Sequence, residues 1–324
     1  MKNISKVIKL SVLAIVASVS FSCSDDDGNA PSTPTNNSIS GIASRTPDLS
    51  LLVDALDRAD LVQTLSQSGS YTVFAPTNAA FTTFLSDNGF ASLDEVPVSV
   101  LKEILLNHVV SGALPSSSLS NGYVKTLAKG SASSSNTLSM YVNTTSGVKL
   151  NGISNVTIPN IAASNGVIHI VDTVIGLPTV VTHALANPNF TTLVSALTRA
   201  DQPDFAGILS GTTNSPFTVF APTNDAFGSL LTELGAASLN DINQNTLENT
   251  LKYHVVAGAN VLSSTLTNNQ AVTTFQGQNF TITTTGGAKI TDANNRVSNI
   301  IAVDVQAANG VIHVLDKVIL PMLN

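Results

Sequence analysis

The chain has 324 residues, 43% of them hydrophobic and 11% charged, which excludes a disordered protein because such chains are poor in apolar residues and rich in charge. Fourteen Lys and Arg stand against 21 Asp and Glu, a net charge of -7, so no summed positive field attracts the phosphate backbone of nucleic acid. With one cysteine, Cys23, the chain can form neither an intramolecular disulfide nor a thiolate metal cluster.

Lys2, Lys6 and Lys9 precede the apolar run LSVLAIVASVSF at 10–21, which has the length of a signal-peptide core and is too short to span a bilayer comfortably. Residues 1–22 therefore read as a signal peptide. Ser22 directly before Cys23 resembles a bacterial lipoprotein box, and the resemblance implies that the thiol is acylated and becomes the first residue of the mature chain. Acyl chains bind membranes at about 0.8 kcal/mol per buried methylene, so such an anchor needs no transmembrane helix. Asp25, Asp26 and Asp27 follow at once, similar to the surface-export tag of lipoproteins in the Bacteroidetes group. The stretch GNAPSTPTNNS at 28–38 has nothing to bury, so residues 23–38 read as a lipid-anchored flexible tether.

The remainder is one unit written twice. YTVFAPTNAAF at 71–81 returns as FTVFAPTNDAF at 217–227, identical at nine of eleven positions. NHVV from Asn107 returns as YHVV from Tyr253, and NGVIHIVDTVI at 165–175 as NGVIHVLDKVI at 309–319. Three landmarks in the same order at nearly constant spacing mark a tandem duplication. The domains are placed at 39–178 and 179–324, with residues 179–186 either opening the second domain or forming a linker helix.

Within each copy, Thr46-Pro47 or Asn187-Pro188 offers an N-cap followed by proline at the first helical position. Leu49, Leu52, Val53 and Leu56, mirrored by Phe190, Leu193, Val194 and Leu197, form the apolar stripe of that helix. A short strand over 72–75 or 218–221 ends at proline, and Thr77-Asn78 or Thr223-Asn224 caps a helix burying Phe81 and Phe84, or Phe227 and Leu230. A further helix carries Val100, Ile104 and Leu105, or Leu247 and Leu251, up to the histidine. Gly-punctuated β-branched runs then predict hairpins, and the Val-Ile-His strand closes the unit, giving an α+β fold class.

The boxes TVFAPTN, YHVV and NGVIHVLDKVI resemble the fasciclin-like domain family over nearly all of the chain after residue 38. The resemblance implies two tandem fasciclin-like domains, each a β-wedge with helices packed around it, and an extracellular role in adhesion or matrix contact. It also implies partner contact at the Tyr-His pair Tyr253 and His254 and at Asp304 and Val305, where the first copy has Asn107 with His108, and Asn160 with Ile161. Asp172-Thr173-Val174 resembles the O-glycosylation signal of Bacteroidetes exported proteins, though strand packing accounts for it equally.

Catalytic and metal readings find little support in the residues. Two paired histidines per copy fall short of the three or four ligands of a zinc site. His169 and Asp172, echoed by His313 and Asp316, would lie on opposite faces of a strand, so they form no relay. His169, His313, His108 and His254 read as structural imidazoles hydrogen-bonded to backbone, and His183 as a residue on a helix surface. HExxH, GxSxG and GxxxxGK are all absent, so no catalytic residue, metal or cofactor is assigned. The leading reading is a non-enzymatic outer-membrane lipoprotein, exposed at the cell surface, that adheres to a surface protein or glycan. The alternative is an extracytoplasmic module capturing a saccharide or small hydrophobe, which a deep apolar pocket with convergent polar groups would favour. A hydrolase is the third.

Overall fold

The computed structural model describes residues 36–322. The signal segment, Cys23 and the acidic run lie outside the described residues. In the first copy, helices α1 (Ile39–Ser44), α2 (Ser50–Arg58) and α3 (Val62–Ser66) lead into strand β1 (Tyr71–Pro76), followed by α4 (Asn78–Asp87) and α5 (Val98–Asn107). Strands β2 (Val109–Ser111), β3 (Gly122–Gly130), β4 (Ser133–Asn143), β5 (Lys149–Leu150), β6 (Ser154–Ala163) and β7 (Gly166–Val171) complete it. The second copy repeats the order: α6 (Val180–Ala186), α7 (Thr191–Leu197), α8 (Phe205–Ser210), β8 (Phe217–Pro222), α9 (Asn224–Leu234) and α10 (Gln244–Tyr253). Its sheet continues through β9 (Val255–Ala257), β10 (Gln270–Thr273), β11 (Asn279–Thr283), β12 (Lys289–Thr291), β13 (Val297–Ala307) and β14 (Gly310–Leu315).

The sheet of the first copy closes on itself in the order β1 to β7, because β1 pairs antiparallel with β2 and parallel with β7. The second runs β10-β11-β12-β13-β14-β8-β9. In both, the parallel pair lies between two layers of core. Val73 and Ala75 of β1 join the helices in one cluster, whereas Phe74 points to the other side and packs with Met140, Val142 and Val171 inside the sheet. Ala221 and Phe220 divide the same way in the second copy. A strand buried on both faces loses the alternation of a surface strand, which is why TVFA reads as a continuous apolar run.

Local chemistry departs from expectation in places. Pro47–Leu49 and Pro188–Phe190 are 3₁₀ turns ahead of α2 and α7, and the Thr46 hydroxyl donates to the Ile42 carbonyl at 2.9 Å instead of capping. Val100 is 43% exposed, and Leu101 takes the buried position, since it is one residue on that Leu101, Ile104 and Leu105 share a helix face. Residues 36–38, read as tether, belong to the folded body: Ser38 caps α1 and the Asn37 carbonyl accepts from the Ser164 amide. Helix α6 corresponds to α1 and opens the second copy, capped by Thr179.

Candidate functional site

The residues shared by the two copies hold the fold together. Thr72 Oγ1 donates to the Gly112 carbonyl at 2.6 Å and accepts from Leu114 at 2.8 Å, and Thr218 repeats this with Ala259 and Val261. Thr77 and Thr223 cap α4 and α9. Asn78 Oδ1 accepts from the Leu51 amide while its Nδ2 donates to the Pro47 carbonyl, and Asn224 makes the same clasp with Thr192 and Pro188. Asn165 accepts from Ile39 and donates to the Leu65 and Gln67 carbonyls, tying α1 and the end of α3 to β7. Asn309 does so for Val180, Leu209 and Gly211. Beside these asparagines only glycine fits: a Cβ on Gly166 or Gly310 would lie 2.0 or 2.2 Å from the carbonyl oxygen of Tyr71 or Phe217.

The four paired histidines are buried struts. Nδ1 of His108 donates to the Ile104 carbonyl at 2.8 Å and Nε2 accepts from the Ile175 amide at 2.9 Å. His254 spans Thr250 and Ile319 at 2.7 and 3.1 Å. Burial pushes both down to about 4, which keeps the imidazoles neutral in this arrangement. His169 and His313 stack on Phe74 and Phe220 and bond the Leu114 and Val261 carbonyls through Nε2. Asp172 turns away from His169 and accepts from both the amide and the side chain of Asn155. Burial works against the Asp172 carboxylate, but its hydrogen bonds from Asn155, Thr173 and its own backbone together outweigh it and lower its pKa. Thr173 is half-buried, its hydroxyl on the Asp172 carboxylate.

Of the residues expected at a partner contact, Tyr253, His254 and Val305 are placed inward and Asp304 is half-buried. Tyr253 is fully buried, donating to the Asn279 carbonyl at 2.8 Å and accepting from the Ala293 amide at 3.1 Å. Its neighbour His254 is 3% exposed, so neither presents a side chain to a partner. Val305 is 4% exposed. Asp304 sits at φ 58° in a bulge of β13, where its carboxylate accepts from the Ser263 amide at 2.8 Å and from the Ser263 hydroxyl. In the first copy Asn160, at φ 66°, accepts from the Ser116 amide through Oδ1 and donates to the Ser116 hydroxyl through Nδ2. Asp and Asn tolerate this left-handed backbone, which is why either stands there.

A polar seam joins the copies through β3 and β4 on one side and β13 and α6 on the other. Lys125 Nζ donates to Ser139 Oγ and to the Asp304 carbonyl, and Ser139 Oγ accepts from the Gln306 amide at 3.0 Å. The Ala308 carbonyl accepts from the Ala132 amide at 2.9 Å and the Ser131 hydroxyl at 3.0 Å. His183, expected on a helix surface, lies in this seam with 0% exposure, edge-on to the Tyr123 ring at 5.4 Å. Neither of its ring nitrogens has a hydrogen-bond partner among the described residues, and burial pushes it down to about 4. The Tyr123 ring packed against this side chain belongs to the other copy, so periodicity within α6 alone does not place it.

The second copy also contains a cavity of about 220 Å³ between α6, α7, α8 and the parallel strands. Its floor includes Phe190, Phe205 and Ile312, and it reaches the surface beside Leu185, which is 65% exposed. Thr198 and His254 are the polar side chains on its wall; Thr198 Oγ1 donates to the Val194 carbonyl, and both His254 nitrogens are engaged. The groove between the corresponding helices of the first copy is mixed instead, with Ser40, Ser44, Asp54 and Asp57 on its walls beside Val53, Leu56 and Val62. Sequence reasoning missed this contrast, although aligning 38–46 with 179–187 sets Ser40 against Val181 and Ser44 against Leu185. Among the described residues no three His, Cys, Asp or Glu come together to hold a metal ion, and no helix is long and apolar enough to cross a membrane.

Comparison with known proteins agrees with this reading of the duplication. The family model of the fasciclin domain matches residues 47–178 and 188–321. The chain is 39% identical over 145 residues to Protein sll1483 of Synechocystis sp., covering 44% of this chain and 73% of that one. It is 26% identical over 270 residues to periostin of Homo sapiens, covering 82% of this chain and 30% of periostin. Among solved structures, the FAS1 domain pair from the insect cell adhesion molecule fasciclin I aligns with a TM-score of 0.47 and 19% identity over 85% of this chain and 95% of that one. The three boxes, their struts and the two matched segments place the chain in the fasciclin-domain family, as a protein with two of these domains in tandem.

Proposed function

We propose that this protein is a non-enzymatic surface lipoprotein that works by contact, held to the outer membrane through an acylated Cys23 and adhering to a surface protein, or to a glycan, through its two fasciclin domains. The observation that carries the reading is the use of the shared side chains: threonines, asparagines and histidines common to both copies are spent on the fold, so recognition falls to outward faces that differ between copies. With Tyr253, His254 and Val305 inside, the contact face shifts to the exposed side chains of β13, where Val297, Ile301 and Val303 are 46%, 57% and 43% exposed. Exposed aliphatic side chains grouped on one strand suit a protein partner.

The test compares adhesion of cells carrying the intact gene, an Ile301→Glu, Val303→Lys double variant, and a Cys23→Ser variant. Adhesion is expected to fall at least tenfold in the double variant with its melting temperature unchanged, and fatty-acid labelling is expected to vanish in Cys23→Ser. Equal adhesion by cells lacking the gene would refute the contact role.

A further inference from the structure

We propose that the second domain binds the end of an unbranched hydrocarbon chain, such as the acyl tail of a fatty acid or lipid, in the cavity between α6, α7 and α8. Three observations converge on this, none of them dependent on the adhesion reading. First, the wall offers an occupant no free polar group: the hydroxyl of Thr198 and both nitrogens of His254 are bonded within the protein. A saccharide would lose its hydration there without replacement, whereas a hydrocarbon loses nothing. Second, the volume suits a chain end. At the density with which a cavity of about 150 Å³ holds benzene, 220 Å³ takes about nine carbon atoms. Third, the fold does not require an apolar groove at this place. The first copy builds the same groove with Ser40 and Ser44, where the second has Val181 and the solvent-exposed Leu185. Leu185 at the mouth leaves the polar head of the ligand in water while the tail enters.

The experiment uses the full chain carrying Cys23→Ser, so that no attached acyl group competes, and titrates it calorimetrically with saturated fatty acids of six to fourteen carbons. Affinity is expected to rise about fourfold per added methylene and to level off once the tail outgrows the cavity. Ala206→Phe, which fills the space from the α8 wall, is expected to weaken binding at least tenfold, and the same substitution at its first-copy counterpart, Val62→Phe, to leave it unchanged. Leu185→Ser, at an exposed position that can be replaced without disturbing the core, serves as the second variant should Ala206→Phe fail to fold, and is expected to weaken binding severalfold with the melting curve preserved. Phosphatidylcholine vesicles of matched acyl length form a parallel arm: binding there as well as to free acid identifies a lipid tail as occupant, and binding to free acid alone identifies a fatty acid. No binding at any chain length, or binding that neither Ala206→Phe nor Leu185→Ser weakens, overturns the proposal.

Discussion

His254 illustrates how the motif residues of this chain spend their chemistry. Its Nδ1 donates to the Thr250 carbonyl and its Nε2 accepts from the Ile319 amide, an arrangement available only to the neutral ring. His108 repeats it, and His183 is neutral in the seam without any hydrogen bond. All three are held near 4 by burial, below the usual 6.5. As pH falls through 6.5 the unfolded chain takes up protons on these rings and the folded chain does not, so stability present above 6.5 is lost progressively until about pH 4. At pH 5 each ring accounts for about 2 kcal/mol. Urea unfolding at pH 7 and pH 5 is expected to show this loss, and His183→Phe to make the dependence on pH shallower by about one proton. A pH-independent midpoint would contradict the neutral assignment. These structural roles were legible in the sequence, because a histidine after an apolar helix and before two valines has backbone on both sides to bond. The burial of His183 was not, because the Tyr123 ring that covers it belongs to the other copy.

At the scale of elements, the bulge in β13 decides what Asp304 is for. The strand shifts register between Ala302 and Val305, the backbone turns left-handed at Asp304, and the freed carboxylate grips the start of the 3₁₀ turn at Ser263–Thr265. Asp304→Ala is expected to cost about 2 kcal/mol by losing this clasp and straining the backbone, and Asp304→Asn, the residue of the first copy, under about 1 kcal/mol. Thermal melts distinguish the two; equal losses would mean that the carboxylate is not the anchor. Family resemblance points to this position as a contact, and the ladder's register also gives its half-buried carboxylate a fastening role through Ser263. The helix-then-sheet order, the capping threonines and the strand that ends at proline could all be read from periodicity and turn chemistry. Bulges could not, because nothing in an alternating pattern fixes which residue of the partner strand is skipped.

For the molecule as a whole, the repeat made the duplication plain but gave no sign of how closely the copies dock. Gly130 approaches Ala308 so tightly that a Cβ there would lie 2.3 Å from the Ala308 Cα. Gly130→Val is therefore expected to part the seam and divide one calorimetric transition into two, each domain retaining its own pair of cores. A single unchanged transition would show that the substitution leaves the seam closed and would contradict the close approach at Gly130. The parallel ladder of β1 with β7 has a further consequence, because it sets Tyr71 beside Gly166 with the whole of the intervening chain looped out. During synthesis, a nascent first half that has delivered everything up to residue 165 still lacks the strand that bridges β1 and β6, and its sheet stands open along both. Closure waits for the last few residues of the unit, so such domains fold late and slowly, and a chain stalled just short of residue 166 exposes two unpaired edges to its neighbours.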